Sequence, residues 1–209
     1  MKKLLFIFLI IFTVFIIYLS TFSKNIYYMS IGTNSLYSNT VVNYLKNTNK
    51  YKYHVDIAYV KPRITDIYDE INNNKKIGNN TTYKHALIKA DVVTINLNGS
   101  YINEIIKNEE YTKKEKYKYL DQYIVKIDNL FQIIREYCKE DIYFLSFINE
   151  NNDIENEKYF SYINFKINSS LEEYSIIKID INKVVELEKE EDKNEFIGNE
   201  IIKQIKQNM

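Results

Sequence analysis

The chain has 209 residues, with 28 Lys and Arg balanced by 28 Asp and Glu, one Cys, one Pro and no Trp. Balanced charge excludes a broad polyanion-binding surface of the kind nucleic acid requires, and a lone cysteine excludes an internal disulfide framework. The high Ile, Asn, Lys and Tyr content matches an AT-rich genome, so the four Asn-x-Ser/Thr matches at Asn79, Asn80, Asn98 and Asn168 are chance-level.

At the N-terminus, Lys2 and Lys3 precede an uncharged apolar run from Leu4 to Leu19, extended to Phe22. Such a run, at ~1.5 Å rise per residue, is just long enough to cross a ~30 Å hydrocarbon layer. It predicts a single-pass anchor over residues 1–23, contacting the lipid bilayer through residues 4–22, with the N-terminus cytoplasmic and residues 24–209 outside the membrane. The alternative is a signal peptide cleaved on secretion, but its apolar region would be shorter and marked by small residues.

Ile26–Ile31 reads as a buried strand ending at Gly32, and Val41, Val42 and Leu45 mark a short helix. His54–Val60 alternates as a second strand, broken by Pro62, after which Ile64, Ile67, Tyr68 and Ile71 recur at helical spacing. Lys75–Thr82 is a polar loop, Tyr83–Ala90 a helix, Val92–Leu97 a third strand, and Asn98–Tyr101 turns into another helix. The longest helix is predicted from Lys113 to Cys138, with Leu120, Ile127, Phe131 and Ile134 on one stripe and Cys138 as a buried thiol. A fourth strand, Ile142–Phe147, precedes a helical segment after Tyr159, a fifth strand, Ile176–Ile181, and a closing amphipathic helix with Phe196, Ile197, Ile201 and Ile205.

Short apolar strands alternating with amphipathic helices predict a three-layer, doubly wound parallel α/β sheet of about five strands. In such folds ligands bind beyond the carboxyl ends of the strands, where the strand order reverses. The informative residues are therefore in the turns Gly32–Ser35, Lys61–Arg63, Asn98–Tyr101 and Ile148–Asn152, and in the segment after Ile181.

Those turns, read with the framework stretches Arg63-Ile64-Thr65-Asp66 and Asp91-Val92-Val93-Thr94-Ile95, resemble bacterial SGNH/GDSL-type ester hydrolases over the whole of residues 24–209. The resemblance implies a flavodoxin-like α/β fold. It also implies a serine nucleophile in a Gly-Asp-Ser turn, glycine and asparagine donors for the oxyanion, and a C-terminal Asp-x-x-His. Gly32 matches, but Thr33 and Asn34 stand where the family has Asp and Ser. Lys61 stands at the oxyanion glycine and Ser100 at the oxyanion asparagine, and Val185–Asn194 holds no histidine.

Asn34, Lys61 and Ser100 thus occupy the family's catalytic positions without its chemistry, and Ser35 is the fallback nucleophile. His54 and His85 are expected near the opposite sheet edge. Without a base, an alcohol remains a poor nucleophile. The leading expectation is a catalytically inactive, extracytoplasmic hydrolase-like domain that acts by binding an envelope glycan or other envelope component, or by assembly with a protein partner. Its ligand-binding residues would be Thr33, Asn34, Ser35, Lys61, Arg63, Asn98 and Ser100, with Lys61 and Arg63 favouring an anionic group. The alternative is an active esterase or deacetylase on cell-surface carbohydrate or lipid esters using Ser35 or Ser100. No cofactor and no metal are expected, since the acidic residues Glu186, Glu188, Glu190, Glu191 and Asp192 read as a solvated loop or helix start.

Overall fold

Strand β1 (Ile26–Thr33) lies in the middle of the molecule and pairs in parallel with strands on both sides. The computed structural model describes residues 11–13, 25–33, 36–59, 62–78, 80–149 and 153–208. The predicted anchor falls outside them, apart from residues 11–13, which are helical. Among the described residues no helix is long and apolar enough to cross a membrane.

The chain continues through α1 (Leu36–Asn47), β2 (Tyr51–Tyr59), α2 (Ile64–Asn72), α3 (Tyr83–Lys89) and β3 (Val92–Asn96). It then forms α4 (Ser100–Lys107), α5 (Lys113–Tyr137), β4 (Asp141–Leu145), α6 (Ile154–Lys166) and α7 (Asn168–Glu173). Strand β5 (Ile177–Ile179), a 3-10 turn (Asn182–Glu186) and α8 (Glu190–Asn208) complete it. The five strands are parallel in the order β2-β1-β3-β4-β5, so the order reverses at β1. This is the doubly wound sheet expected from the alternation of elements.

Alternate residues of each strand feed two cores, because successive side chains point to opposite faces. Met29, Ile31, Val93, Ile95, Ile142 and Phe144 pack under α2 to α7. Tyr28, Val92, Tyr143, Leu145 and Ile179 pack under α1 and α8, which contribute Val41, Leu45, Ile201 and Ile205. Burying a side chain such as Ile201 contributes roughly 1.5–3 kcal/mol. Within the second core, Tyr28 and Thr94 share a hydrogen bond of 2.9 Å and Ser30 and Tyr37 one of 3.1 Å, so four buried hydroxyls are satisfied without water.

Several boundaries differ from the sequence expectation. Strand β2 starts at Tyr51 rather than His54, because Tyr51 and Tyr53 extend the ladder on Ile26 and Tyr27 although the outer face of this edge strand is solvated. Strand β5 is shorter than Ile176–Ile181, since only Tyr143, Phe144 and Leu145 of β4 pair with it. Helix α6 begins at Ile154, before Tyr159, and is opened by Asp153, whose side chain accepts from the Glu155 N–H. Its first residue is 89% exposed, so apolar periodicity carries no sign of that first turn.

Candidate functional site

At the carboxyl edge of the sheet the ends of β1 and β3 are locked together. Gly32 faces Asn96 across the ladder with φ of +131°, and a β-carbon there would lie 1.8 Å from the Asn96 carbonyl oxygen. Only glycine fits this approach. Thr33 Oγ1 donates to the same carbonyl at 3.4 Å.

Beyond β3 the chain turns through Asn98, whose φ of +44° is left-handed. Asn98 Oδ1 accepts both the Ser100 N–H (3.0 Å) and the Ser100 hydroxyl (2.8 Å), while the Asn98 N–H donates to Asn96 Oδ1 at 3.2 Å. Asparagine tolerates this backbone conformation and supplies the turn's local hydrogen bonds. Gly99 lies against the Phe160 ring and the Ile148 carbonyl, where a β-carbon would come within 2.6 Å and 2.9 Å. The turn is therefore clamped to α6 and to the end of β4.

The consequence for Ser100 is chemical. Its hydroxyl donates to a neutral carboxamide oxygen, which is too weakly basic to remove the proton, so the hydrogen bond holds the turn and does not activate the oxygen.

The ligand residues expected from the sequence are divided by the structure. Thr33 and Asn98 line one cavity of about 240 Å³, together with Asn96, Ser146, Glu190, Lys193 and Asn194. Tyr37 lies in its wall, buried, and burial raises its phenol pKa to about 12. Lys193 reaches Glu190 at 3.9 Å, with 29% of its side chain exposed. Arg63 and Ser100 line a different cavity of about 220 Å³, beside Thr65, Tyr101, Glu104, Tyr123 and Lys126. Thr33 and Asn98 thus line one cavity, and Arg63 and Ser100 the other. Asn34, Ser35 and Lys61 lie outside the described residues.

Sequence reasoning missed Lys193 and Asn194 in the first cavity and Tyr101, Glu104, Tyr123 and Lys126 in the second. For Glu190 it gave a solvated helix start, and Glu190, Glu191 and Asp192 do form the first turn of α8, where negative charge meets the helix dipole favourably. Glu190 nevertheless also faces the cavity. The signal was available in the segment after Ile181, which had to return to the strand ends. Tyr123 carried none, being one more aromatic on a helix rich in them. No group of His, Cys, Asp and Glu among the described residues is arranged to hold a metal ion.

Both histidines lie at the other edge, as expected. His54 pairs with Tyr28 near the start of β1 and its Nδ1 lies 3.3 Å from the Tyr51 hydroxyl. His85 lines a cavity of about 220 Å³ with Tyr27, Tyr53 and Lys89. Cys138 is buried at the end of α5, and burial pushes its thiol pKa up, which makes it inert.

No protein-family profile and no curated protein sequence matches the chain. Solved structures do. The acetylxylan esterase Axe2 from Geobacillus stearothermophilus superposes with a TM-score of 0.57 at 14% identity, over 78% of this chain and 79% of that one. Catalytic mutants of that esterase replace a serine, an aspartate and a histidine by alanine. LAE5, an alpha/beta hydrolase enzyme from the metagenome of Lake Arreo, gives a TM-score of 0.56 at 11% identity, over 78% and 80% of the two chains. At such identities the likeness is one of fold, and at that level the resemblance to SGNH/GDSL-type ester hydrolases holds: this chain has an ester hydrolase's α/β fold.

Proposed function

We propose that this chain is a membrane-anchored, extracytoplasmic domain that uses an ester-hydrolase fold to bind an envelope component, a glycan above all, without hydrolysing it. The observation that carries this reading is the position of the chain's two histidines. His54 lies four rungs of the β1–β2 ladder before Ala58, the partner of Gly32, a separation of ~13 Å along the strand. His85 opens into a cavity with Tyr27, at the start of β1. Neither imidazole reaches the carboxyl edge, where an alcohol would need a base.

Anchoring through residues 4–22 sets the orientation. Strand β1 begins at Ile26, close behind residues 4–22, so an anchor there tethers the starting edge of the sheet nearest the bilayer and leaves the candidate site at the far end of a strand ~23 Å long. A site held at that height meets surface polymers at high effective concentration, which makes weak binding useful.

A second reading, an active esterase or deacetylase on carbohydrate or lipid esters through Ser35 or Ser100, is favoured by the fold shared with an acetylxylan esterase. Acetate release from O-acetylated xylo-oligosaccharides, followed by NMR with the full chain in nanodiscs, separates the two. The binding reading predicts no release above buffer. Release that disappears in Ser35→Ala or Ser100→Ala would overturn it. The anchor is tested by fractionation: deletion of residues 1–23 moves the protein from the membrane to the soluble fraction, whereas a soluble full-length chain would contradict anchoring.

A further inference from the structure

The second cavity has features that the fold alone does not require. Helix α2 begins there after Arg63, whose side chain makes no cap, and α4 begins there after Gly99, with the Ser100 N–H already held by Asn98 Oδ1 and the following first-turn N–H groups left to face the cavity. First-turn N–H groups without intrahelical partners, together with the helix dipoles, make such a place positive. Arg63 and Lys126, both exposed, stand on its rim. Glu104 supplies one opposing carboxylate and leaves an excess of positive charge.

An independent observation concerns Tyr123. Its side chain lines this cavity and is 3% exposed, yet its hydroxyl has no hydrogen-bond partner among the described residues. A buried unpaired hydroxyl costs stability, and most are satisfied. Burial raises its pKa, so it keeps its proton and remains a donor. The Tyr101 ring lies over Tyr123 with centroids 4.5 Å apart and is itself partly exposed, offering an aromatic surface beside the donors.

The geometry points to a subsite for an oxyanion, a carboxylate or a phosphate, carried on a sugar ring. Arg63 and Lys126 neutralise the anion, the two helix N-termini face it, the Tyr123 hydroxyl donates to it, and the ring lies against Tyr101. Arginine suits this role because its planar fork matches the spacing of carboxylate and phosphate oxygens. The inference rests on the glycan-binding reading only for the sugar ring. The anion requirement is independent of whether any serine is reactive, so ester hydrolysis would sink the earlier reading and leave this one standing.

The test is an NMR titration of the full chain in nanodiscs of zwitterionic lipid, at pH 7, with glucuronate, glucose 6-phosphate, glucose and inorganic phosphate. Glucuronate or glucose 6-phosphate is expected to bind about tenfold tighter than glucose, the preferred anion identifying the source as a uronate or a phosphorylated sugar. The double variant Arg63→Gln, Lys126→Gln abolishes that preference. Tyr123→Phe weakens the anionic sugar roughly three- to tenfold while leaving Tm unchanged or raised, because it removes an unpartnered hydroxyl. Glucose binding as well as the charged sugars, no binding of either charged sugar, or a preference retained in the double variant would overturn the proposal. Inorganic phosphate binding as tightly as the sugar phosphate would remove the ring from it. A Tyr123→Phe variant with lower Tm and unchanged affinity would remove the hydroxyl.

Discussion

The two edges of the sheet are closed in different ways. Where the strands begin, polar groups are matched to one another. The Tyr27 N–H donates to the Asp91 carboxylate at 2.9 Å, and Arg135 alone donates to the carbonyls of Tyr174, Ser175, Cys138 and Glu140 at 2.7–3.2 Å, tying α5, α7 and the approach to β4 together. Where the strands end, Asn103 Oδ1, Tyr123 Oη and Asn149 Oδ1 are buried without hydrogen-bond partners among the described residues. One edge spends its polar groups on the fold. The other leaves a few polar atoms unmatched, and one of them, the Tyr123 hydroxyl, belongs to a residue that lines a cavity.

Substitutions sharpen this contrast. The largest effect is expected at the starting edge: Arg135→Ala removes four donor–acceptor contacts and should cost about 3 kcal/mol in urea denaturation, with Tm falling accordingly. A cost near zero would mean that water replaces the guanidinium freely and that the edges are alike.

Next comes the wall of the first cavity, where a buried tyrosine is satisfied rather than orphaned. Tyr37 has its pKa raised by burial from 10.0 to about 12. A raised phenol pKa means that the fold favours the neutral form, so this stability is complete below pH 10 and lost as pH rises from 10 to 12. The loss on full titration is on the order of 2–3 kcal/mol. Denaturation midpoints measured between pH 9 and 12 check it, and Tyr37→Phe should flatten the alkaline decline.

The smallest effect belongs to the ending edge. Ser100→Ala gives up one hydroxyl contact to Asn98 while the Ser100 backbone N–H keeps its own, so about 1 kcal/mol or less is expected in thermal melts. A loss as large as that at Arg135 would show that this turn is structural throughout.

The fold was legible because its signals are local. Runs such as Ile26–Ile31 and Val92–Leu97, with helical spacing between them, suffice to place strands and crossovers, and handedness does the rest. The positions of His54 and His85 follow from the same order. What stayed hidden depends on contacts across the chain. Tyr123 and Arg63 are far apart in sequence, and nothing in either local pattern says that α5 passes beside the β2–α2 turn. Tyr51 and Lys52 show why β2 is misjudged at its start: an edge strand need not be apolar on its outer face. The opening of α6 was invisible for a related reason, since Asp153, Ile154 and Glu155 are exposed and shaped by capping rather than burial.

The central proposal, that this fold hydrolyses no ester through Ser35 or Ser100, is tested most directly by a fluorophosphonate probe on the full chain in membranes. The account predicts no labelling that depends on Ser35 or Ser100, in a preparation where an active serine esterase is labelled to completion. Stoichiometric labelling abolished by Ser35→Ala or by Ser100→Ala would contradict it.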